Sequence, residues 1–315
     1  MFSQVWMSSY IEIGNYVFRN VNAVSIESSW KNLTQRAKIK LPNIKALLEK
    51  NIKPGDPVII KLGYNSSLNI EYEGFVSTIA PSTPIEITCE DEMWKLKQQT
   101  VTMSWRSVTL KEVLKYLVPD ATIECPDIIL SPFRIDKLSK AKALEKLKDE
   151  FTLVIYFRGK NLYAGLAYQE KDLGRQKYHF QKNIAHSSLV YKGKDDVKIK
   201  VKAISIMPNN TKIDTELGDA DGEQRTLHFY NLTLAELKKQ AQEKINLMKY
   251  DGYRGTFTGF GVPVVKHGMV AELLDNKYPE RAGSYFIDSV NTTYDSNGFR
   301  REIELGRKAG TELIL

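Results

Sequence analysis

The chain has 315 residues, of which 42% are hydrophobic and 26% are charged. This composition is typical of a globular protein with a substantial core and excludes an extended disordered chain. No apolar run approaches the roughly 18 residues that a membrane-spanning helix needs, so we expect no membrane span. The first residues lack a basic segment followed by a long apolar core, so we also expect no signal peptide.

The formal net charge of +7 suggests an acidic partner such as nucleic acid. The distribution of charge weakens that suggestion. Residues 1–100 carry 11 basic and 10 acidic side chains, residues 101–170 carry 11 and 9, and residues 171–315 carry 23 and 19. A positive excess spread over the whole chain predicts weak long-range attraction rather than one specific site.

Short alternating or β-branched segments bounded by Gly, Pro, Asn and Ser dominate residues 1–100 and predict many strands. They are SYIEIG, NAVSIESSW, AKIKLP, DPVIIKLGY, NIEYEGFVSTI and PIEITCED. One helix is predicted over residues 42–51, where Ile44, Leu47 and Leu48 share one face. Many short strands separated by turns are typical of a barrel or sandwich, so we expect a first β-barrel domain over residues 1–100.

Residues 101–172 change to a small α+β pattern. The segment TLKEVLKYLVPD begins with a capping box formed by Thr109 and Glu112, and SKAKALEKLKDEF begins with Ser139 as a helix cap. The following segment TLVIYFRGKNLYAGLAY predicts a hairpin that turns at Gly159.

The strand pattern returns over residues 173–315, where we expect a second β-barrel domain. One helix interrupts it, TLAELKKQAQEKINLMKYDG, with a capping box at Thr233 and Glu236 and a stop at Gly252. The predicted fold class is therefore mainly β, with two similar barrel domains and a small α+β domain.

One hairpin pattern occurs twice in the chain. FVSTIAPSTPIEITC at residues 75–89 is matched by FIDSVNTTYDSNGFRREIEL at residues 286–305. Each is preceded by another similar segment, GDPVIIKL at 55–62 and HGMVAELL at 267–274. The repetition predicts that the second β-region is built on the plan of the first.

Two motifs resemble binding sites but fail on their details. GFGVPV at residues 259–264 lacks the third glycine and the helix that a dinucleotide site needs, so its glycines are expected to allow a close backbone approach. GDADGE at residues 218–223 resembles a calcium loop, but Leu217 and His228 occupy positions that require carboxylates.

No set of residues has the spacing of a metal site or a catalytic centre. The cysteines, Cys89 and Cys125, are far apart, which predicts a reducing compartment and thiols without a special role. No Gly-x-Ser-x-Gly elbow and no His-Glu-x-x-His motif is present. We therefore predict no catalytic, cofactor-binding or metal-binding residue and no cofactor. The histidines have no common context; they are His179, His186, His228 and His267.

The one local basic feature is the lysine row, Lys198, Lys200 and Lys202, on one face of an alternating strand. Such a row could contact phosphates. A solvent-facing, lumen-facing or edge-protecting row is the alternative, since lysines commonly protect strand edges. We favour the alternative because no aromatic residues alternate with the lysines to stack on bases.

The order of the segments covers nearly the whole chain. It runs through SIESSWKNLTQRAKIKLP, GDPVIIKLGY and EGFVSTIAPSTPIEITCED, then the α+β segment, then GVPVVKHGMVAEL and GSYFIDSVNTTYDSNGFRREIELG. This order resembles the baseplate hub proteins of contractile phage tails, the late control protein D family. That family is related to the hub portion of type VI secretion spike proteins.

The resemblance implies a homotrimer in which each chain supplies two similar barrels. Six barrels would form a ring that adapts a six-fold tail tube to a three-fold spike. The implied partners are a tail tube protein, a spike protein and other baseplate proteins, in a virion tail assembled in the bacterial cytoplasm. Some relatives are fused to a lysozyme or a spike β-helix. This chain ends shortly after the second hairpin, so we expect its spike to be a separate polypeptide.

The sequence thus predicts a structural assembly protein that is not an enzyme. One alternative is a basic nucleic-acid-binding protein built of two OB-like barrels, against which the missing stacking aromatics count. Another is an enzyme whose catalytic residues are dispersed along the chain. The mass in solution separates the trimer from both alternatives.

Overall fold

The computed structural model describes residues 6–42, 51–130, 132–151, 153–168, 173–207 and 211–309, without the side chain of Leu247. The predicted helix over residues 42–51 lies almost entirely outside these ranges. Within them the fold is mainly β with few helices, as the sequence predicts. No helix in the described ranges is long and apolar enough to cross a membrane.

The described strands, in chain order, are β1 (Met7–Ile13), β2 (Tyr16–Phe18), β3 (Ala23–Ser29), β4 (Arg36–Leu41), β5 (Pro57–Tyr64), β6 (Ser67–Ala80), β7 (Ile85–Glu90), β8 (Thr100–Trp105), β9 (Val108–Thr109), β10 (Thr122–Glu124), β11 (Ile129–Leu130), β12 (Phe133–Ser139), β13 (Val154–Arg158), β14 (Asn161–Gly165), β15 (Arg175–His179), β16 (Ile184–Ser187), β17 (Val190–Lys192), β18 (Ile199–Ile206), β19 (Lys212–Gly218), β20 (Glu223–Tyr230), β21 (Gly252–Arg254), β22 (Thr256–Phe260), β23 (Val270–Leu274), β24 (Gly283–Asp295) and β25 (Gly298–Lys308). The α-helices are α1 (Met93–Lys97), α2 (Leu110–Leu117), α3 (Lys140–Phe151) and α4 (Leu234–Met248). Short 3-10 helices lie at Lys194–Asp196 and Pro279–Arg281.

A sheet of 13 strands runs through the described part of the molecule and contains two strand sets. The first strand set has the neighbour order β3-β4-β7-β6-β5-β1, and the second has β16-β22-β25-β24-β23-β15. When the six strands of each set are numbered along the chain, both orders read 2-3-6-5-4-1. One pairing differs, because β1 is antiparallel to β5 whereas β15 is parallel to β23. The repeated order supports the predicted duplication.

Both closing hairpins contain a β-bulge at the same place. In the β6–β7 hairpin the register shifts between Val76 and Thr78, and in the β24–β25 hairpin it shifts between Ile287 and Ser289. A bulge inserts one unpaired residue and bends its strand, so it fixes the register on both sides. Between this bulge and the turn, the structure therefore aligns the two hairpins residue by residue; a second shift, between Tyr285 and Ile287, occurs only in β24–β25.

The strand that precedes each hairpin is connected to it by the same backbone contact. The Gly55 N–H donates to the Val76 carbonyl, and the Gly268 N–H donates to the Ile287 carbonyl, both at 2.8 Å. Both glycines have a positive φ, +96° and +83°, and a residue with a side chain would be strained in this backbone conformation. These matched contacts extend the correspondence to the segments GDPVIIKL and HGMVAELL.

The predicted α+β segment has its own apolar core, formed largely by α2, α3 and strands β8 to β14. The capping box at Thr109 and Glu112 is present, and the Ser139 hydroxyl accepts from the Lys142 N–H at 3.2 Å. Strands β13 and β14 form the hairpin that was predicted around Gly159. The sequence signals for this segment are thus confirmed.

The second β-region differs from its predicted plan. Strand β18 does not join the large sheet; it is the centre of a separate sheet β19-β18-β20, whose core is shared with α4. The capping box of α4 at Thr233 and Glu236 is present. The helix ends at Met248, and Gly252 begins β21 instead of stopping the helix. An α/β unit is therefore inserted between β17 and β21.

Candidate assembly site at the joint of the strand sets

The two strand sets are joined by β3, the outer strand of the first set, and by the part of β24 that β23 does not cover. These strands are antiparallel, and their register runs from Ser29 opposite Ser289 to Val24 opposite Tyr294. The sequence predicts two barrels but gives no sign of this pairing between them. A joint of this kind lets one strand set cover an open edge of the other, which would otherwise attract a foreign strand.

Aromatic side chains of the second closing hairpin complete the core of the first strand set. Tyr294 and Phe299 pack among the buried residues of that core, and the Phe299 ring is fully buried. The Tyr64 hydroxyl donates to the Phe299 carbonyl at 3.1 Å. Removing the second hairpin would therefore open the core of the first strand set to water.

A buried ion pair crosses the joint. The Arg301 Nη2 lies 2.6 Å from the Glu71 carboxylate, and both side chains are buried. Arg301 also donates to the Gly261 carbonyl at 2.8 Å and to the Thr292 hydroxyl at 2.9 Å. A buried guanidinium is tolerated when its donors are satisfied, so these contacts hold β25, β24 and β6 in one arrangement.

Local strand geometry explains why both charges point inward. Glu71 lies at a bulge, because the β5–β6 register shifts between the pair formed by Ile60 with Tyr72 and the pair formed by Lys61 with Ile70. Arg301 lies at an inward position of β25, where the alternation otherwise places buried apolar residues. The arginine in this apolar alternation is the one sequence signal of the ion pair, which was not among the predicted site residues.

The GFGVPV motif serves close packing, as the sequence predicts. A Cβ added at Gly261 would lie 2.1 Å from the Phe299 ring, far closer than atoms can approach. The Gly261 N–H donates to the Phe299 carbonyl at 2.9 Å. The glycine therefore allows the chain to cross directly over a buried aromatic ring.

His267 is a buried polar residue at the same joint. It shares a hydrogen bond of 2.8 Å with the Ser28 hydroxyl, and the Tyr156 ring meets it edge-on at 4.4 Å. Burial, together with the nearby Arg158 and Lys266 cations, lowers the pKa of His267 to about 3. The imidazole is therefore neutral at physiological pH and connects the second strand set to β3.

Each member of the lysine row faces a carboxylate. Lys198 pairs with Asp221, Lys200 with Glu216 at 2.7 Å, and Lys202 with Asp214 at 3.9 Å. Because β18 is a central strand, the row does not protect a sheet edge. Local ion pairing leaves little net positive charge there for phosphates.

Local contacts hold the calcium-like loop, and the two cysteines are not bonded to each other. Asp219 of the loop accepts from the Ile199 N–H at 2.9 Å and pairs with Lys249 at 2.6 Å. Cys89 and Cys125 are free thiols, and burial raises the pKa of Cys89 to about 12. Among the described residues, no group of three or more His, Cys, Asp or Glu side chains is placed to hold a metal ion.

No family model matches the sequence, and no curated protein matches it. Solved structures do match the fold. A tail protein from Neisseria meningitidis MC58 aligns with a TM-score of 0.65 at 13% identity, over 96% of both chains. The 43 kDa tail protein of prophage MuSo2 from Shewanella oneidensis aligns at 0.64 and 15% identity, over 96% of this chain and 98% of that one.

The chain has the fold of these tail proteins. A further match is the E. coli c3393 protein, described as a component of the type VI secretion system with structural similarity to the T4 tail proteins gp27 and gp5. It aligns with a TM-score of 0.61 at 9% identity, over 99% of this chain and 78% of that chain. The alignments with the two tail proteins span nearly the full length of this chain, so they include both strand sets, the α+β segment and the α/β unit between β17 and β21.

Proposed function

We propose that the chain is a structural hub protein of the baseplate of a phage tail or a related contractile injection system. The observation that carries the proposal is the nearly full-length match to two tail proteins, one of them from a prophage, over 96% of this chain in each case. The similarity to a type VI secretion component agrees with the resemblance that the sequence order implies.

The repeated strand order gives this function a physical basis. We propose domains at 1–100, 101–172 and 173–315, with the first and last built as similar barrels around the two strand sets. A closed ring of three chains then presents six nearly equivalent units to a six-fold tail tube and three equivalent faces to a spike. The α+β domain lies outside the ring, where it does not block the channel.

The work of such a protein is done by interfaces, so we propose no enzymatic activity. Its partners are further copies of itself, the tail tube protein, the spike and other baseplate proteins, in a virion tail assembled in the bacterial cytoplasm. The alternative of nucleic-acid binding through the lysine row is weakened because each lysine faces a carboxylate.

Light scattering and negative-stain electron microscopy of the purified chain test the proposal. We expect a particle with three times the mass of the chain and a ring-shaped projection, and we expect the ring to bind the tail tube protein of the same system. A chain that stays monomeric at micromolar concentration, both alone and with tube and spike proteins present, contradicts it.

A further inference from the structure

Among the residues that the structure describes, two strand edges have no pairing strand, and they are the counterparts of the β24 and β3 edges that pair with each other inside the chain. After its bulge, β24 is paired on both sides, with β25 and with β3. The corresponding part of β6, residues 77–80, pairs only with β7 among the described residues. Strand β5 reaches only to Phe75.

The counterpart of β3 in the second strand set is β16 continued by β17. In the first set, Val24 lies opposite Ile39 and Glu27 opposite Arg36. In the second set, Ser187 of β16 lies opposite Phe257 and Val190 of β17 lies opposite Arg254. In each set, the two pairs are three residues apart along both of the paired strands. Residues 184–192 therefore trace the path of β3, with β21 and β22 in place of β4.

The outer side of this β16–β17 strand has no pairing strand in the described part of the chain. The equivalent side of β3 is covered by β24. Val190 is 55% exposed, which is unusual for a branched apolar side chain in a strand. Open edges of this kind bind an additional strand through main-chain hydrogen bonds.

We propose that residues 77–80 of one copy pair with residues 190–193 of a second copy, antiparallel, in the register that β24 and β3 show within the chain. Within the chain, Ser289 lies opposite Ser29 and Asn291 opposite Glu27. Thr78 and Ala80 of β6 correspond to Ser289 and Asn291 of β24, and Lys192 and Val190 correspond to Ser29 and Glu27 of β3. The same register between two copies therefore places Thr78 opposite Lys192 and Ala80 opposite Val190. The occupant of each open edge is thus another molecule of the same chain.

This pairing is heterologous, because each copy uses two different edges. A heterologous contact closes into a ring when the rotation between copies is a whole fraction of a turn. The contact between copies then repeats the contact between strand sets within one copy, which makes the units around the ring equivalent. The inference rests on the proposed ring and adds the surface and the register that build it.

Disulfide trapping tests the register in a Cys125→Ser background, with the fully buried Cys89 retained. The matched double variants are Thr78→Cys with Lys192→Cys and Ala80→Cys with Val190→Cys; all four positions are exposed. The control variants exchange partners: Thr78→Cys with Val190→Cys, and Ala80→Cys with Lys192→Cys. Directly opposite residues are about 5 Å apart and diagonal ones about 7–8 Å, near the limit for a disulfide.

Under mild oxidation we expect the matched variants to form intermolecular disulfides on the order of tenfold faster than the controls. Mixing the two single variants of a matched pair should give a disulfide-linked dimer and nothing larger. A ring seen by microscopy with no trapping, or with equal trapping in matched and control variants, overturns the proposed edge pairing and leaves the hub function standing. A chain that stays monomeric with tube and spike proteins present overturns both.

Discussion

The guanidinium of Arg301 lies 2.6 Å from the carboxylate of Glu71, although the two residues are 230 positions apart in the sequence. Glu71 belongs to β6 of the first strand set and Arg301 to β25 of the second. The hairpin alignment places Arg301 at the position of Ile85, which is buried in the first set. At this position the first hairpin has an apolar core residue, whereas the second has a charged residue that bonds to the other strand set.

Breaking this ion pair should destabilise the fold strongly. Glu71→Gln leaves a buried guanidinium without its counter-charge, which costs about 3 kcal/mol. Equilibrium unfolding in denaturant measures the loss as a lower midpoint. The control is Glu73→Gln, two residues along the same strand and exposed, which should change stability by less than about 0.5 kcal/mol. Equal effects in the two variants would contradict the assigned role of the pair.

A methyl group at Gly261 should also destabilise the joint. The Gly261→Ala Cβ would overlap the buried Phe299 ring, so backbone or ring must move, at a cost of about 1–3 kcal/mol or more. The matched control is Gly193→Ala, whose Cβ would lie 3.2 Å from the end of the Asp196 side chain and 3.8 Å from that of Asp251. Thermal unfolding of both variants checks this. A Gly261→Ala variant with the stability of the control would show that the crossing over Phe299 is not tight.

His267 should make the fold sensitive to acid. Its pKa is about 3 in the folded chain and about 6.5 when the chain unfolds, so the unfolded chain takes up a proton first as the pH falls. The stability from burying the neutral ring is complete above pH 6.5 and decreases as the pH falls towards 3, by at most about 1.4 kcal/mol per pH unit.

We therefore expect His267→Gln to remove the part of the stability profile that falls with acid, so that the slope of stability against pH between about 3 and 6.5 is lower in the variant than in the unmodified chain. Burial raises the pKa of Asp91 to about 7, so this carboxyl makes the fold more stable as the pH falls, the opposite of His267. The contribution of Asp91 is the same in both proteins, so the difference between their slopes reports His267. The control is His186→Gln at an exposed position. The same slope with and without His267, measured by denaturant unfolding at several pH values, would contradict this origin of the acid sensitivity.

The lysine row should have no specific nucleic-acid affinity. Replacing Lys198, Lys200 and Lys202 with Gln removes three positive charges that already face carboxylates. We expect weak, sequence-independent binding near physiological salt that the triple variant barely changes. A tight interaction that disappears in the triple variant would favour the nucleic-acid-binding alternative over the hub.

Local sequence signals predicted the elements well where each depends on its own neighbours. The capping boxes at Thr109 and Thr233 are present because they need only residues three positions apart. The strands of the first set and both closing hairpins follow the alternation in the sequence. The helix stop assigned to Gly252 was wrong because a strand that pairs with β17 begins there.

Relations between distant segments could not be read in the same way. The pairing of β3 with β24 depends on which edges two strand sets leave open, and periodicity carries no such information. The inward position of Glu71 depends on a bulge that only the paired register reveals. Strand β18 has the alternation of a large-sheet strand, but its buried face packs against α4.

An electron-microscopy reconstruction of the purified assembly at a resolution that separates strands is the most direct test of the hub. We predict a closed ring of three chains with six similar strand sets around one channel and the α+β domain outside it. We also predict that the backbones of residues 1–100 and 175–308 superpose over the six equivalent strands. A reconstruction without a ring, or with two strand sets that do not superpose, would show that the chain is not a hub of this kind.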